Sequence, residues 1–294
     1  MTRIGQWLIW VLQGVGVGVA NVIPGVSGGT MALIFGIYER LISLLSDLVK
    51  AGLLLARFDI KGFISALRKL DLLFLFWLTV GVVLAPLLGA EIIPRMLETY
   101  PIESRSLFFG LILGTLPIPW LRIRSHGTGN VVALVVAAAI SFMLVGVPPL
   151  DPGDPGLITI FLAAALAICA MILPGVSGAF ILLVLGMYAP IFEAIDARDP
   201  AVVGTFILGA GVGLGSFALF LKWLLGKVHD LTMAALVGLM IGSLRSLWPW
   251  LAEDRSILAP DTGDGFGLVL LIGLGGLVLS AAMTAWEVKR SRAA

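Results

Sequence analysis

Pro24-Gly25-Val26-Ser27-Gly28 stands near the start of the chain and returns as Pro174-Gly175-Val176-Ser177-Gly178. Setting residues 23–42 against 173–192 leaves eight of twenty positions identical, including Leu33/Leu183, Gly36/Gly186 and Tyr38/Tyr188. Each copy interrupts a long apolar run, 5–40 in the first case and 157–192 in the second. Proline lacks the N–H that a helix interior needs, and glycine adopts conformations that helices do not use. Each run therefore reads as two arms of about 15–18 residues around a short polar loop, each arm marginal for crossing ~30 Å of hydrocarbon. Irregular backbone is tolerated at membrane depth only when protein or a watery cavity surrounds it. Two re-entrant hairpins are expected. The plainer alternative is a pair of ordinary crossings with a turn at the surface. Pro, Gly and Ser sit mid-run, away from charged residues, which favours the hairpins.

Working outward, the whole chain has the composition of a membrane protein. Of 294 residues, 59% are hydrophobic and 13% charged, with a mean hydropathy of +1.08. A soluble domain carries about 25% charged residues. Long apolar runs point to helices rather than a barrel. Nineteen basic and eighteen acidic residues leave a net charge of +1, so no nucleic-acid partner is indicated. The single Cys169 excludes an internal disulfide and reads as a small packing residue. The N-terminal apolar run has no small-residue cleavage site and is expected to be retained. No metal-ligand spacing and no nucleotide-binding loop occur, so no metal and no cofactor are expected.

Uninterrupted spans are expected at roughly 72–93, 104–120, 129–147, 201–221, 232–249 and 265–286, near the ~20 residues of a crossing. Connecting segments divide by charge. Segment 40–70 carries Arg40, Lys50, Arg57, Lys61, Arg68 and Lys69; Arg122, Arg124, Lys222, Lys227, Lys289, Arg290 and Arg292 fall in further basic connections. Segments 148–156, 193–200 and 250–264 are mainly acidic. The positive-inside rule puts the basic group in the cytoplasm, and six spans with two hairpins satisfy every loop, both termini inside. The expected fold is thus an all-α polytopic membrane protein, multi-pass in the cytoplasmic (inner) membrane.

The duplication continues beyond the motif. Gly110-Leu111-Ile112-Leu113-Gly114 resembles Gly238-Leu239-Met240-Ile241-Gly242, an offset of 128 against 150 for the motifs. Repeat 1 is placed at 1–147, with hairpin 5–40, a basic amphipathic insert 41–70 and three spans. Repeat 2 occupies 148–294, with hairpin 157–192 and three spans. The insert reads either as helix on the inner surface among anionic headgroups or as a solvated connector. One hairpin plus three spans is an odd number of crossings, so the second copy is inverted. Inverted repeats give one midplane site access to both faces in turn.

The motif has the chemistry of an anion site. Gly25, Gly28 and Gly29 let a ligand approach the main chain, and Ser27 and Thr30 add hydroxyls where an outgoing helix begins. The second copy offers Gly175, Ser177 and Gly178 but carries Ala179 and Phe180 in place of Gly29 and Thr30, making the first loop the more polar. Phosphate or carboxylate is the expected ligand; helix capping and tight packing are the structural alternative. Arg245 and Arg105 are candidate auxiliary cations, with snorkelling as the plainer account. Glu39 is a candidate coupling acid for a proton or sodium, or a surface partner of Arg40; Glu91 is a weaker candidate. Gly25-Val26-Ser27-Gly28-Gly29 also matches a serine-hydrolase pattern, but His126 and His229 both fall in connections, leaving no base beside the serines. That argues against an enzyme.

The two motif copies, Asn21 to Thr30 and Leu173 to Gly178, resemble those of the bacterial and archaeal polyprenyl-phosphate transporter family, and the resemblance extends over nearly the whole chain. It implies return of undecaprenyl phosphate, or an archaeal counterpart, from the outer to the cytoplasmic leaflet for further envelope-polymer synthesis. Only the motif positions are carried over as site residues. An ion-coupled carrier of a soluble anion would use the same architecture, and an intramembrane serine hydrolase is the remaining alternative.

Overall fold

The computed structural model describes residues 3–22, 27–89, 92–151, 153, 155–252, 254–260 and 265–293. Among them the chain is helical, with one isolated bridge between Leu251 and Ile257. The first half contains α1 (Arg3–Val22), α2 (Gly28–Ile34), α3 (Tyr38–Ala56), α4 (Ile60–Lys69), α5 (Leu72–Gly89), α6 (Ile92–Thr99), α7 (Pro101–Thr115), α8 (Pro117–Trp120) and α9 (Thr128–Val145). The second contains α10 (Leu157–Ile172), α11 (Gly178–Val184), α12 (Tyr188–Asp196), α13 (Pro200–Lys227), α14 (His229–Ser243), a 3₁₀ turn (Leu244–Leu247) and α15 (Phe266–Ala293). At 1.5 Å per residue, the 28 residues of α13 reach about 42 Å, more than a bilayer core.

Three described helices are both long and apolar enough to cross a membrane: Thr128–Val145, Pro200–Lys227 and His229–Leu247. Leu72–Ala85, Leu157–Ile172 and Phe266–Ala282 are apolar but shorter. α9 turns Val131, Val132, Val135, Val136 and Ile140 outward, an apolar surface suited to lipid and not to water. Two of the expected spans are interrupted. Pro117 separates α7 from α8, and α14 tightens into the 3₁₀ turn before Trp248.

Glycines mark where helices touch. A Cβ on Gly81 would collide with the Val11 carbonyl, one on Gly14 with the Leu78 carbonyl and one on Gly18 with the Val82 carbonyl. From 14 against 78 to 18 against 82 both helices advance together, so α1 and α5 run side by side in the same direction. α10 and α13 do likewise, Gly209 against Phe161 and Gly213 against Ala165. These contacts keep the sequence offsets: 209 lies 128 residues after 81, and 161 lies 150 after 11. A second pair of contacts follows the same logic across the halves. α7 packs on α15 through Gly110 against Gly273, and α14 on α9 through Gly238 against Leu134. α7 and α14 run in opposite directions, because Arg105 near the start of α7 reaches the Leu251 carbonyl beyond the end of α14. Phe108 and Ile112 of α7 pack there with Leu244 and Leu247.

The chain doubles back after each motif. Arg40, near the start of α3, pairs with Asp71 and lies over the rings of Trp10 and Phe74, so it has returned to the level of Trp10. Met187 and Ile191 pack against Ala163 and Ala167 of α10 in the same manner. The outgoing arms differ from the expected 15–18 residues. Each is a seven-residue helix ended by a left-handed glycine, Gly36 (φ 73°) or Gly186 (φ 71°), before a new helix starts. α11 and α12 meet there at 104°. The 41–70 segment also divides: α3 buries Ile42, Leu44 and Ala51 and packs on α13, whereas α4 buries no residue.

Candidate functional site

Ser27, Gly29 and Thr30 of the first motif region lie directly against the second motif loop and the end of α10. Ser27 caps α2, accepting the Gly29 N–H at 3.0 Å. Its hydroxyl hydrogen is shared between the carbonyls of Met171 and Leu173, each 3.0 Å away at the end of α10. Thr30 accepts the Gly175 N–H at 2.8 Å. Both side chains are 1% exposed. Gly29 is required by this approach, since a Cβ would strike the Ile172 carbonyl. Gly28 donates its N–H to the Asn21 side-chain carbonyl at 2.8 Å. Asn21 had no expected role, and its place seven residues before Gly28 holds no helix or turn signal. Gly25 lies outside the described residues, as does Glu91.

The second loop borders a small crevice. Gly175 has φ 82° and sits against the α14 backbone at Leu239 and Met240, which leaves no room for a side chain. Ser177 caps α11 through a long 3.4 Å bond from the Phe180 N–H, and Gly178 is buried behind it. Gly175, Val176, Ser177, Phe180 and Ile181 wall a crevice with Ser141, Leu144, Val145 and Ser246. Its cavity volume is about 20 Å³, room for about one water and too little for a phosphate group. Ser141 and Ser246 donate their hydroxyls to the carbonyls of Leu239 and Ser243. Ser177 has no acceptor for its hydroxyl hydrogen among the described residues.

Both candidate cations hold one loop. Arg105 donates to the Leu251 carbonyl at 3.0 Å, and Arg245 to the Arg255 carbonyl at 3.1 Å and the Phe142 carbonyl at 3.1 Å. The Leu251–Ile257 bridge and the bonds Ala252 N–H to Ser256 O and Leu258 N–H to Trp250 O set 250–252 against 256–258 as a small hairpin. Arg255 extends from its tip over the Phe180 ring at 4.5 Å. Partial burial lowers its pKa from the ordinary arginine value, yet arginine stays charged. In sequence Arg255 is the one basic residue of the acidic segment 250–264, which carries no signal of this placement.

Glu39 is partnered elsewhere. It is 47% exposed and lies 3.4 Å from His229, which in turn meets Asp230 at 3.2 Å. Neither histidine contacts a motif serine. No group of three or more metal-binding side chains occurs among the described residues.

A helical membrane protein with a duplicated Pro-Gly-Val-Ser-Gly motif, the Ser27 end of one copy set against the other, is the class this geometry defines. The profile of the VCA0040-like, undecaprenyl phosphate translocase-like family matches residues 17–263, and the chain belongs to that family. A polyprenyl-phosphate transporter of Vibrio cholerae serotype O1 is 37% identical over 245 residues, covering 83% of this chain and 79% of the relative. A polyprenyl-phosphate transporter of Staphylococcus aureus is 29% identical over 268 residues, covering 85% and 88% respectively. No solved structure matches the chain significantly.

Proposed function

We propose that the protein carries polyprenyl phosphate across the cytoplasmic membrane, from the outer to the inner leaflet, by alternating access between two inverted repeats. The observation that carries this reading is the docking of Ser27 and Thr30 onto the backbone of the second motif. The family membership and the names of the relatives support the lipid. Duplication is supported by the recurring glycine contacts, and inversion by the opposed directions of α7 and α14, whose sequences correspond.

An ionised phosphate cannot enter hydrocarbon unaided, because desolvating a charge costs far more than binding repays. A protein site must replace its water. In the described conformation three donors of the first motif region are spent: Gly28 on Asn21, Gly29 on Ser27, and Ser27 itself on α10. The site is therefore closed. Parting the motifs would release the Ser27 hydroxyl and the Gly175 N–H together, each bond worth about 0.5–1.5 kcal/mol. A phosphate offers those donors charged acceptors, which bind them more strongly than a carbonyl does. Ser27, Gly28, Gly29, Thr30, Gly175, Ser177 and Gly178 are the proposed site, with Arg245 and Arg105 placed to steady its wall. The prenyl tail stays in lipid throughout. α4, with Lys61, Arg68, Lys69 and a 90% exposed Phe58 beside it, would rest on inner-leaflet headgroups, both termini being cytoplasmic.

Proteoliposomes holding a polyprenyl monophosphate labelled in one leaflet test this. Protein-dependent movement that millimolar inorganic phosphate does not suppress is expected. No movement refutes the function, and suppression by inorganic phosphate favours a soluble-anion carrier. Imposed proton or sodium gradients, with Glu39→Gln alongside, read the coupling.

A further inference from the structure

We propose that Arg255 is the residue that takes the phosphate headgroup at the mouth of the Ser177 crevice; this rests on the lipid-phosphate reading above. The second motif is poor in hydroxyls because Phe180 replaces the threonine of the first. Phe180 is instead the platform on which a guanidinium from another part of the chain is laid, 4.5 Å from the ring centre. Ser177, one turn earlier on the same helix, keeps its hydroxyl hydrogen unspent among the described residues. Arg255 thus brings a fixed charge to a ring that lines the crevice together with Ser177.

The backbone of Arg255 gives an independent reason. Its φ is 66°, a left-handed conformation that glycine or asparagine adopts more readily. A bulky residue held there is a departure from local preference, of the sort found where a side chain is used. The hairpin is secured at this residue, with Arg245 donating to its carbonyl and its own N–H bonded to the Ala252 carbonyl at 2.9 Å. Its guanidinium has one long hydrogen bond, 3.4 Å to the Val145 carbonyl, and no carboxylate partner among the described residues. Among the described residues most of its five donors have no acceptor, which leaves them for a ligand. Stacked on an aromatic face with an edge free, a guanidinium matches two oxygens of a phosphomonoester. Val145 and Phe180 both line the crevice, so an anion that displaces the weak Val145 carbonyl contact on Arg255 would sit at its mouth, and the crevice would have to widen for it to reach Ser177.

Binding of farnesyl monophosphate, farnesol and inorganic phosphate to the full chain in nanodiscs tests the assignment. Arg255→Gly removes the guanidinium while easing the backbone, so thermal stability should hold. Its affinity for farnesyl monophosphate should fall about 10-fold or more, the loss of one charged hydrogen-bonded contact, with farnesol uptake unchanged. Arg255→Lys should fall between. Arg255→Asn tolerates the same φ and reads the same loss if the glycine variant folds poorly. Wild-type affinity in Arg255→Gly or Arg255→Asn overturns the role of Arg255 and leaves the transporter reading standing. If the wild type binds inorganic phosphate but not the prenyl ester, the lipid reading fails; the anion site stands if Arg255→Gly abolishes that binding. Binding of neither phosphate overturns both.

Discussion

Ser27 and Ser177 are the same letter in the same pentapeptide, yet they serve different neighbours. Ser27 is enclosed and satisfies one amide and two carbonyls; Ser177 makes one long bond and borders the crevice. Ser27→Ala should cost about 1–3 kcal/mol, from a lost cap and carbonyls left short of a donor. Ser177→Ala should cost under about 1 kcal/mol. Thermal unfolding of the two single variants in one detergent checks this, and equal shifts would contradict the asymmetry. Transport should respond to Ser177→Ala out of proportion to its stability change. The pairing of motifs was legible because their letters repeat. Arg255 was not, since its φ and its reach to Phe180 depend on a hairpin whose closing bonds are between backbone groups. Backbone pairing leaves no trace in residue type. Asn21 was missed for a related reason: an asparagine at a helix end satisfies many local bonds, and only the return of the chain selects Gly28.

At the scale of elements, the hydropathy pattern located the apolar runs but not their internal stops. Gly36 and Gly186 stood out as identical positions in the repeat, and their meaning as left-handed bends is a matter of φ, which composition does not carry. The helix contacts follow a simpler rule: where two backbones touch, only glycine fits. Gly81→Ala and Gly209→Ala should each destabilise by about 1–3 kcal/mol, since a methyl would press on the Val11 or Phe161 carbonyl. Gly204→Ala on α13 meets open space and should leave the melting temperature unchanged or slightly higher. Unequal losses at 81 and 209 would count against equivalent roles in the two halves. The 250–258 hairpin has its own signature. The Ser256 hydroxyl, then its N–H, hold the Asp254 carboxyl below its ordinary value. A carboxylate whose folded pKa is depressed lends its stability above the unfolded pKa, about 3.9, and loses it as pH falls through the lowered value. Amide exchange at Ser256, corrected for intrinsic rate, should therefore show no change in protection above about pH 4 and faster opening below it. Asp254→Asn should remove that step.

For the whole molecule, the decisive quantity is which loops share a side of the membrane. Lys50 and Asp196 are both exposed and lie on α3 and α12, the helices that follow Gly36 and Gly186 in the two halves. Lys50→Cys and Asp196→Cys, each without Cys169, should react with an impermeant thiol reagent from opposite sides of sealed vesicles. Labelling from one side would end the inverted arrangement. Ser46, in the same segment, is fully buried and would not report. Loop charge pointed to this topology, because a bilayer sorts lysine and arginine without regard to fold.

The exchange of partners between halves has a consequence for how the protein is made. Gly110 on α7 waits for Gly273 on α15, and these are 163 residues apart (273 − 110). At a synthesis rate of about 5–20 residues per second, α7 spends roughly 10–30 s in the bilayer with its glycine groove open. Any other small-residue helix inserted nearby during that interval could occupy the groove. A ribosome stalled at residue 265 should therefore yield a membrane-embedded intermediate whose α7 is protease-sensitive and open to cross-linking with the insertion machinery. Release of the last helix should abolish both. Assembly of the two halves is thus a post-translational event, timed by the far end of the chain.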